Sequence, residues 1–414
     1  MSTSGEVSAY DRMVWSEDQL EQWLISGERR RELLAYFGEA EYEKLRLLAA
    51  AAGRVTPDPD RCVIFVPGIM GTQLSLARER PQPDNLLWLD PSDVQQGHLA
   101  MLAIPGETLQ AVGPVMYGYL PLKLALRAAG HTVRSFVYDW RLSIADSAAE
   151  LTRQLAAEAG RDISIVAHSM GGLLARIALR GAAGMRVRRL VTLGTPHGGA
   201  FAPVQAVRGV YPLVRRLAQI DQVNSPELLA REVFSSFHSL YQMLPREGTP
   251  NLFNTSSWPS TGPQPNATLL DRVRYLELGA ADPRITAIAG YGFQTADNVA
   301  QVEGEFYYRY SFAGDGTVPT SRAVLAGCKA WYCNIAHGEL TRSPVVHEAL
   351  ARLLADATPG LSDAPPPPPK TPHFASSDSE LRRQFSEKID WSRLDGEQRR
   401  AFLDSLNRAP PAAL

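Results

Sequence analysis

Hydrophobic and polar positions follow three successive patterns along the chain. Over residues 17–52, apolar side chains recur at helical spacing among charges (Leu20, Trp23, Leu24, Leu33, Leu34, Phe37, Tyr42, Leu45, Leu47, Leu48). That spacing predicts two helices packed by one face. After Pro57-Asp58-Pro59, short β-like runs at 63–66, 131–137, 163–166, 187–193 and 285–289 are interleaved with helix-like stretches near 143–158 and 173–179. Such alternation predicts the α/β class, with a mostly parallel sheet and helices on both faces. Pro365 to Pro369 read as a stiff extended spacer. Beyond it, residues 381–406 carry Phe385, Ile389, Trp391, Leu394, Phe402, Leu403 and Leu406 in an amphipathic helical pattern. This tail either packs back on the body or docks a protein partner, and the pattern leaves both open. The expected organisation is a helical segment at 1–56, an α/β domain at 57–358, a Pro-rich linker at 359–375 and a helical tail at 376–414.

Two stretches of the α/β domain, 72–115 and 200–282, are far longer than an ordinary connection between strand and helix. The second holds Val204, Val207, Val210, Tyr211, Leu213, Val214 and Leu217, then a largely apolar run at 228–244. It reads as an apolar cap, either a mobile lid or a fixed cover. The basic face expected for transient contact with an anionic membrane surface is represented only by Arg208, Arg215 and Arg216.

Composition narrows the class. At 414 residues with 45% hydrophobic and 21% charged residues, the chain can bury one large core. A net charge of −2 argues against a nucleic-acid partner. Cys62, Cys328 and Cys333 are odd in number and lack metal-ligand spacing, so neither a disulfide framework nor a metal centre is expected. Residues 1–12 have no apolar signal-like core, and no run approaches the ~18 apolar residues of a membrane span. A cytoplasmic location is the expectation.

The chemistry concentrates at Ala167-His168-Ser169-Met170-Gly171-Gly172, which follows a β-like run and opens a helix-like one. A serine on so tight a strand-to-helix turn needs small residues two positions to either side, and Ala167 and Gly171 supply them. Such a serine requires a base, and in a hydrolase of this kind the partners follow in the order acid, then histidine. Asp315 lies in Gly314-Asp315-Gly316-Thr317-Val318-Pro319, just after the β-like run 306–312, and His337 follows the short run 330–336. The reading is Ser169 as nucleophile, His337 as general base and acid, and Asp315 as the group that orients the imidazole. His347 is the rival base, set in a helix-like segment. Asp139 and Asp282 are alternative acids in less fitting loops. His168 is expected to point away from the serine, and His197, in Thr195-Pro196-His197-Gly198-Gly199, to fix a loop. Backbone donors for an oxyanion would be the amides of Met170 and of Ile69, the latter in Pro67-Gly68-Ile69-Met70-Gly71 after the first strand.

Val66 to Leu74 (VPGIMGTQL), Trp88-Leu89-Asp90, Tyr138-Asp139-Trp140-Arg141-Leu142, the Ala-His-Ser-Met-Gly-Gly turn, Gly290-Tyr291-Gly292 with Thr295, and Gly314 to Val318 occur in this order. Together they resemble the lecithin:cholesterol acyltransferase family, which includes lysosomal phospholipase A2. The resemblance runs from about Cys62 to about Leu354. It implies an α/β-hydrolase fold, a triad at Ser169, Asp315 and His337, an oxyanion hole at Ile69 and Met170, and no cofactor. It also implies cleavage of a lipid acyl ester, with the acyl group passed to water or to an alcohol. Departures from the family are the missing pair of cysteines around the loop after Trp88 and a loosely similar region at His337. Tyr138 to Arg141 read either as a buried brace or as a substrate contact. The expected activity is a phospholipase-like or lipase-like serine acylhydrolase. Its alternatives are an acyltransferase, a small-ester esterase, and a non-catalytic adaptor working through its terminal helices.

Overall fold

In β1 (Asp58–Val66) an exposed first half runs into five buried residues. Cys62, Ile64 and Val66 pack on one side and Val63 and Phe65 on the other, the two-residue period of a strand covered on both faces. The computed structural model describes residues 15–77, 86–158, 161–273, 276–365, 367, 374–384 and 387–406. In it β1 joins β2 (His131–Ser135), β3 (Asp162–His168), β4 (Val187–Leu193), β5 (Ile285–Gly290) and β6 (Lys329–Cys333) in one parallel sheet of order β6-β5-β4-β3-β1-β2.

Helices α1 (Met116–Ala128) and α4 (Pro344–Leu354) cover one face through Leu122, Leu126, Val346 and Leu350. Helices α2 (Ile144–Ala157) and α3 (Gly171–Ala178) cover the other through Leu151, Leu155 and Leu174. The sheet, its two helical layers and the β3–α3 turn make an α/β-hydrolase fold. Register sets Val66 beside Ala167 and His168 beside Leu193, so the loops leaving β1, β3 and β4 emerge together at one edge.

The two long insertions differ in kind. Residues 72–115 form a three-stranded antiparallel sheet from Thr72–Leu76, Leu86–Trp88 and Leu109–Pro114. The second insertion is helical, with Ala202–Val207, Pro212–Ile220, His238–Gln242 and Ala267–Val273. Arg208, Arg215 and Arg216 do not form a basic outer face: all three are buried. Each hydrogen-bonds to the C-terminal segment, at Asp378, Gln384 and Ser405 respectively.

The terminal regions correct the sequence pattern in three ways. Residues 17–52 form three helices, Glu17–Ser26, Arg30–Phe37 and Glu39–Gly53, rather than two, because Gly27 and Gly38 both take φ of 76° and end the first two. They pack on the outer side of α1 through Leu24, Leu33, Tyr42 and Leu45. The tail is no continuous helix. It begins as a strand, Phe374–Ser377, inside the expected linker, and pairs with Glu305–Ser311 in a second antiparallel sheet. It then forms Asp378–Arg383, a turn at Trp391–Arg393 and Gly396–Leu406. Most of the proline spacer lies outside the described residues, as do residues 1–12 and Phe385. The tail packs back on the body, its Trp391 1% exposed. No helix among the described residues is long and apolar enough to cross a membrane.

Candidate active site

Ser169 sits between the last residue of β3 and the start of α3 with φ of 53°, a left-handed conformation that costs a non-glycine residue strain and is held by its surroundings. Its N–H donates to the Leu193 carbonyl at 2.8 Å. A Cβ on Gly171 would lie 2.4 Å from the Pro67 oxygen, and one on Gly172 would lie 2.1 Å from Thr195 Oγ1. The turn is therefore wedged between two neighbouring loops, which explains the two glycines more directly than local turn preference does.

His337 Nε2 lies 2.9 Å from Ser169 Oγ, and His337 Nδ1 lies 2.7 Å from Asp315 Oδ2. A carboxylate only accepts, so Nδ1 carries the proton and Nε2 is left to accept from the serine hydroxyl. Asp315 is 1% exposed. Its other oxygen accepts the N–H groups of Thr317 and Val318 at 2.9 and 2.7 Å, and its carbonyl accepts from the His337 N–H at 2.8 Å. The carboxylate is held at both ends.

The route that brings Asp315 here differs from the one its sequence context implies. The run before it, Glu305–Ser311, is not in the parallel sheet. It is the return arm of an antiparallel hairpin with Thr295–Val302 that leaves the C-terminal edge at β5 and comes back to it. Asp315 then rests against the end of β5: a Cβ on Gly290 would lie 2.6 Å from its own. Thr320 Oγ1 donates to the Gly290 carbonyl at 2.9 Å and the Gly316 N–H to Thr295 Oγ1 at 2.8 Å, closing the excursion. β6 ends at Cys333, and His337 opens a short 3₁₀ turn, His337–Glu339.

The loop 67–71 lies against the serine. A Cβ on Gly68 would be 2.8 Å from Ser169 Cβ. The Gly68 N–H is already spent on the Tyr119 hydroxyl at 3.1 Å, whereas among the described residues the amides of Ile69 and Met170 donate to no protein acceptor. Tyr138 to Arg141 form a brace behind this loop, and none of the four lines the cavity. The Tyr138 hydroxyl donates to the Pro67 carbonyl at 2.8 Å and Trp140 Nε1 to the Thr72 carbonyl at 2.9 Å. Arg141 grips Asp139 through Nε and Nη2 and reaches the Leu102 carbonyl.

His168 does not simply point away. Its Nε2 lies 3.1 Å from the His337 carbonyl and its Nδ1 3.1 Å from the Tyr119 hydroxyl. One tautomer satisfies both: Nε2–H donates to the carbonyl, and Nδ1 accepts from the tyrosine, which itself accepts from Gly68. Burial, and then the neighbouring His337, push the His168 pKa down to about 3. This neutral ring links the loop 67–71 to the backbone of His337. Nothing in the sequence marks Tyr119 for that part, since it reads as one more apolar position of α1. His197 receives Arg176 on Nδ1 and reaches Thr192 Oγ1 with Nε2, each at 3.2 Å. Burial and Arg176 hold it near 3 as well. His347 faces the Thr341 carbonyl at 2.9 Å, away from the serine, and burial lowers its pKa to about 4. Asp139 and Asp282 are each paired with the arginine two residues on.

Burial also lowers His131 and His238, so five histidines resist protonation in the fold. The unfolded chain protonates them near pH 6.5. Below that value the unfolded state binds more protons, so their contribution to stability is complete above about pH 6.5 and is lost as pH falls through the folded values. Urea unfolding midpoints are expected to fall steadily from pH 7 to pH 5, before most carboxylates titrate. A flat profile over that interval would contradict the lowered proton affinity of these rings.

A cavity of about 230 Å³ opens over Ser169. Trp88, Leu89, Leu213, Leu240 and Met243 from the two insertions line it, with Leu403 and Leu406 from the tail. The site thus joins a hydrogen-bonded serine, histidine and aspartate to a mostly apolar chamber.

Residues 127–268, about a third of the chain, match the family model of lecithin:cholesterol acyltransferase. The uncharacterized protein YJR098C of Saccharomyces cerevisiae is 31% identical over 115 residues, 27% of this chain, and the match spans 17% of that relative's length. Among solved structures, the mature lipase BlEst2 of Bacillus licheniformis is 15% identical, with 72% of this chain and 94% of that one covered at a TM-score of 0.38. The Tle4-Tli4 complex is 16% identical over 72% and 98% of the chains at a TM-score of 0.41. Lipase B of Aspergillus fumigatus is 9% identical over 87% and 67% at a TM-score of 0.33.

Proposed function

We propose that this α/β-hydrolase, similar in residues 127–268 to the lecithin:cholesterol acyltransferases, is a serine acylhydrolase of lipid esters. The observation that carries the reading is the unbroken line Asp315, His337, Ser169, with contacts of 2.7 and 2.9 Å, at the floor of an apolar cavity. Ser169 Oγ attacks the ester carbonyl while His337 Nε2 takes its proton, and Asp315 stabilises the imidazolium that results. The tetrahedral oxyanion is received by the amides of Ile69 and Met170, donors already fixed in place before charge develops. Collapse expels the alcohol, protonated by His337, and leaves an acyl-serine. Water, or a second alcohol, activated by the same histidine, then releases the acyl group.

An apolar chamber favours an acyl chain because each buried methylene contributes ~0.8 kcal/mol without needing a hydrogen bond. Purified protein would be incubated with vesicles of mixed phospholipid and triglyceride containing a long-chain alcohol, and the products followed by mass spectrometry. Free fatty acid with lysolipid or diglyceride is expected, and new esters of the alcohol would mark acyl transfer instead. If no lipid yields a product that disappears in Ser169→Ala, the lipid acylhydrolase reading is wrong and the non-catalytic reading gains.

A further inference from the structure

The C-terminal segment is tied to the body far more firmly than a passive tail requires. Its strand Phe374–Ser377 extends the second sheet. Asp378 is fully buried against Arg208. Lys388 Nζ donates to the carbonyls of Ala218, Asp221 and Asn224. The Ile389 N–H donates to the Gln219 carbonyl at 2.7 Å, and Trp391 is buried with the Phe402 ring edge-on at 5.8 Å. The segment therefore runs along Pro212–Ile220 and delivers the last helix, Gly396–Leu406, to a defined place.

That place is over the serine. Arg400 Nη1 donates to the Ala35 carbonyl at 2.7 Å on the N-terminal side, and Arg216 donates to the Ser405 carbonyl on the cap side. Leu403 and Leu406, one helical turn apart on one face, line the same cavity as Ser169 and His337, together with Tyr36 and Leu213. A helix of eleven residues is marginal in isolation, so its position comes from these anchors. Among the described residues it is the tail's sole contribution to the cavity lining.

We propose that the C-terminal helix is the outer wall of the acyl-chain site, and that Leu403 and Leu406 set the chain length it accepts. This rests on the acylhydrolase reading above and extends it to a selectivity element that lies outside the segment similar to the lecithin:cholesterol acyltransferases.

The test compares 4-nitrophenyl esters from acetate to dodecanoate in wild type, Leu406→Trp and Leu403→Ser/Leu406→Ser, each checked for an unchanged unfolding midpoint. In parallel, dodecanoate binding to Ser169→Ala, with and without Leu406→Trp, is measured by calorimetry. For wild type, kcat/KM should rise with chain length. Leu406→Trp fills the chamber and should lower dodecanoate turnover by about tenfold or more, the scale of a few lost methylene contacts, while acetate stays within about twofold. The double serine variant should flatten the length dependence. Length profiles parallel to wild type in both variants, or a uniform gain at every length, would overturn the proposal, the second by making the helix an obstruction rather than a wall. If wild type hydrolyses no ester but Leu406→Trp weakens dodecanoate binding about tenfold, the wall stands and the hydrolase reading falls. Absence of dodecanoate binding in all variants would overturn the wall as well.

Discussion

Ser169→Ala is expected to lower kcat for the best lipid ester by about 10⁵- to 10⁶-fold, with His337→Ala close behind and the double variant no worse than either alone. In the proposed mechanism the three side chains act as one unit, so the first removal should already cost nearly everything. The residue of catalysis should come from the amides of Ile69 and Met170 and from binding. Asp315→Asn should cost about 10⁴-fold, because the amide would favour the wrong tautomer of His337. That variant is informative, since Oδ1 accepts from Thr317 and Val318 and an asparagine oxygen can keep both bonds. Steady-state kinetics would give the numbers, with fluorophosphonate titration fixing the active fraction of the wild type. Retention of more than about a tenth of wild-type activity by Ser169→Ala, against the near-total loss expected for a nucleophile, would remove Ser169 from the mechanism.

Arg208→Met should destabilise the protein by about 3–5 kcal/mol, the range for breaking a buried ion pair by deleting one member. Arg208 Nε and Nη2 donate to Asp378 Oδ2 at 2.9 and 2.7 Å, and the guanidinium also reaches the Thr261 and Pro263 carbonyls. Both residues are inaccessible to solvent. Losing the arginine strands the Asp378 carboxylate, whose remaining partners are the Tyr308 hydroxyl at 3.1 Å and Arg382 at 3.6 Å. Arg208→Met/Asp378→Leu should recover part of the loss, because an apolar pair leaves no orphaned charge. Urea unfolding of the two variants decides the matter. A cost below ~1 kcal/mol for Arg208→Met, as for an exposed pair, would mean that Asp378 is not held where the structure has it. The same lesion should loosen the C-terminal segment and, through it, the wall over the serine.

Much of the core was legible in the chain because its signals are local. A strand buried on both faces needs a continuous apolar run, and a serine on a left-handed turn needs small neighbours, so 63–66, 163–166 and Ala167 to Gly172 announce themselves. Asp315 and His337 were found by order and by loop chemistry, and the structure brings both to Ser169. Their surroundings were less legible. Residues 306–312 look like any β-forming run, and periodicity cannot tell a strand of the main sheet from the arm of an outlying hairpin. Gly27 and Gly38 could have split the N-terminal pattern into three helices, since a glycine inside an amphipathic run is a ready helix terminus.

By itself, then, the sequence determined the alternation that builds the parallel sheet and the identity and order of the three side chains, Ser169, Asp315 and His337, that the fold brings together, because backbone conformation and side-chain burial at those positions depend on near neighbours. Only the tertiary structure decided what touches them. Tyr119 and His168 join the loop 67–71 to His337 across more than a hundred residues of chain. Arg208, Arg215 and Arg216, which composition alone would send to the surface, are turned inward by carboxylate and carbonyl partners near the far end of the chain. A charge enters a protein interior only where partners await it, and those partners are set by packing between distant segments, which no local pattern records.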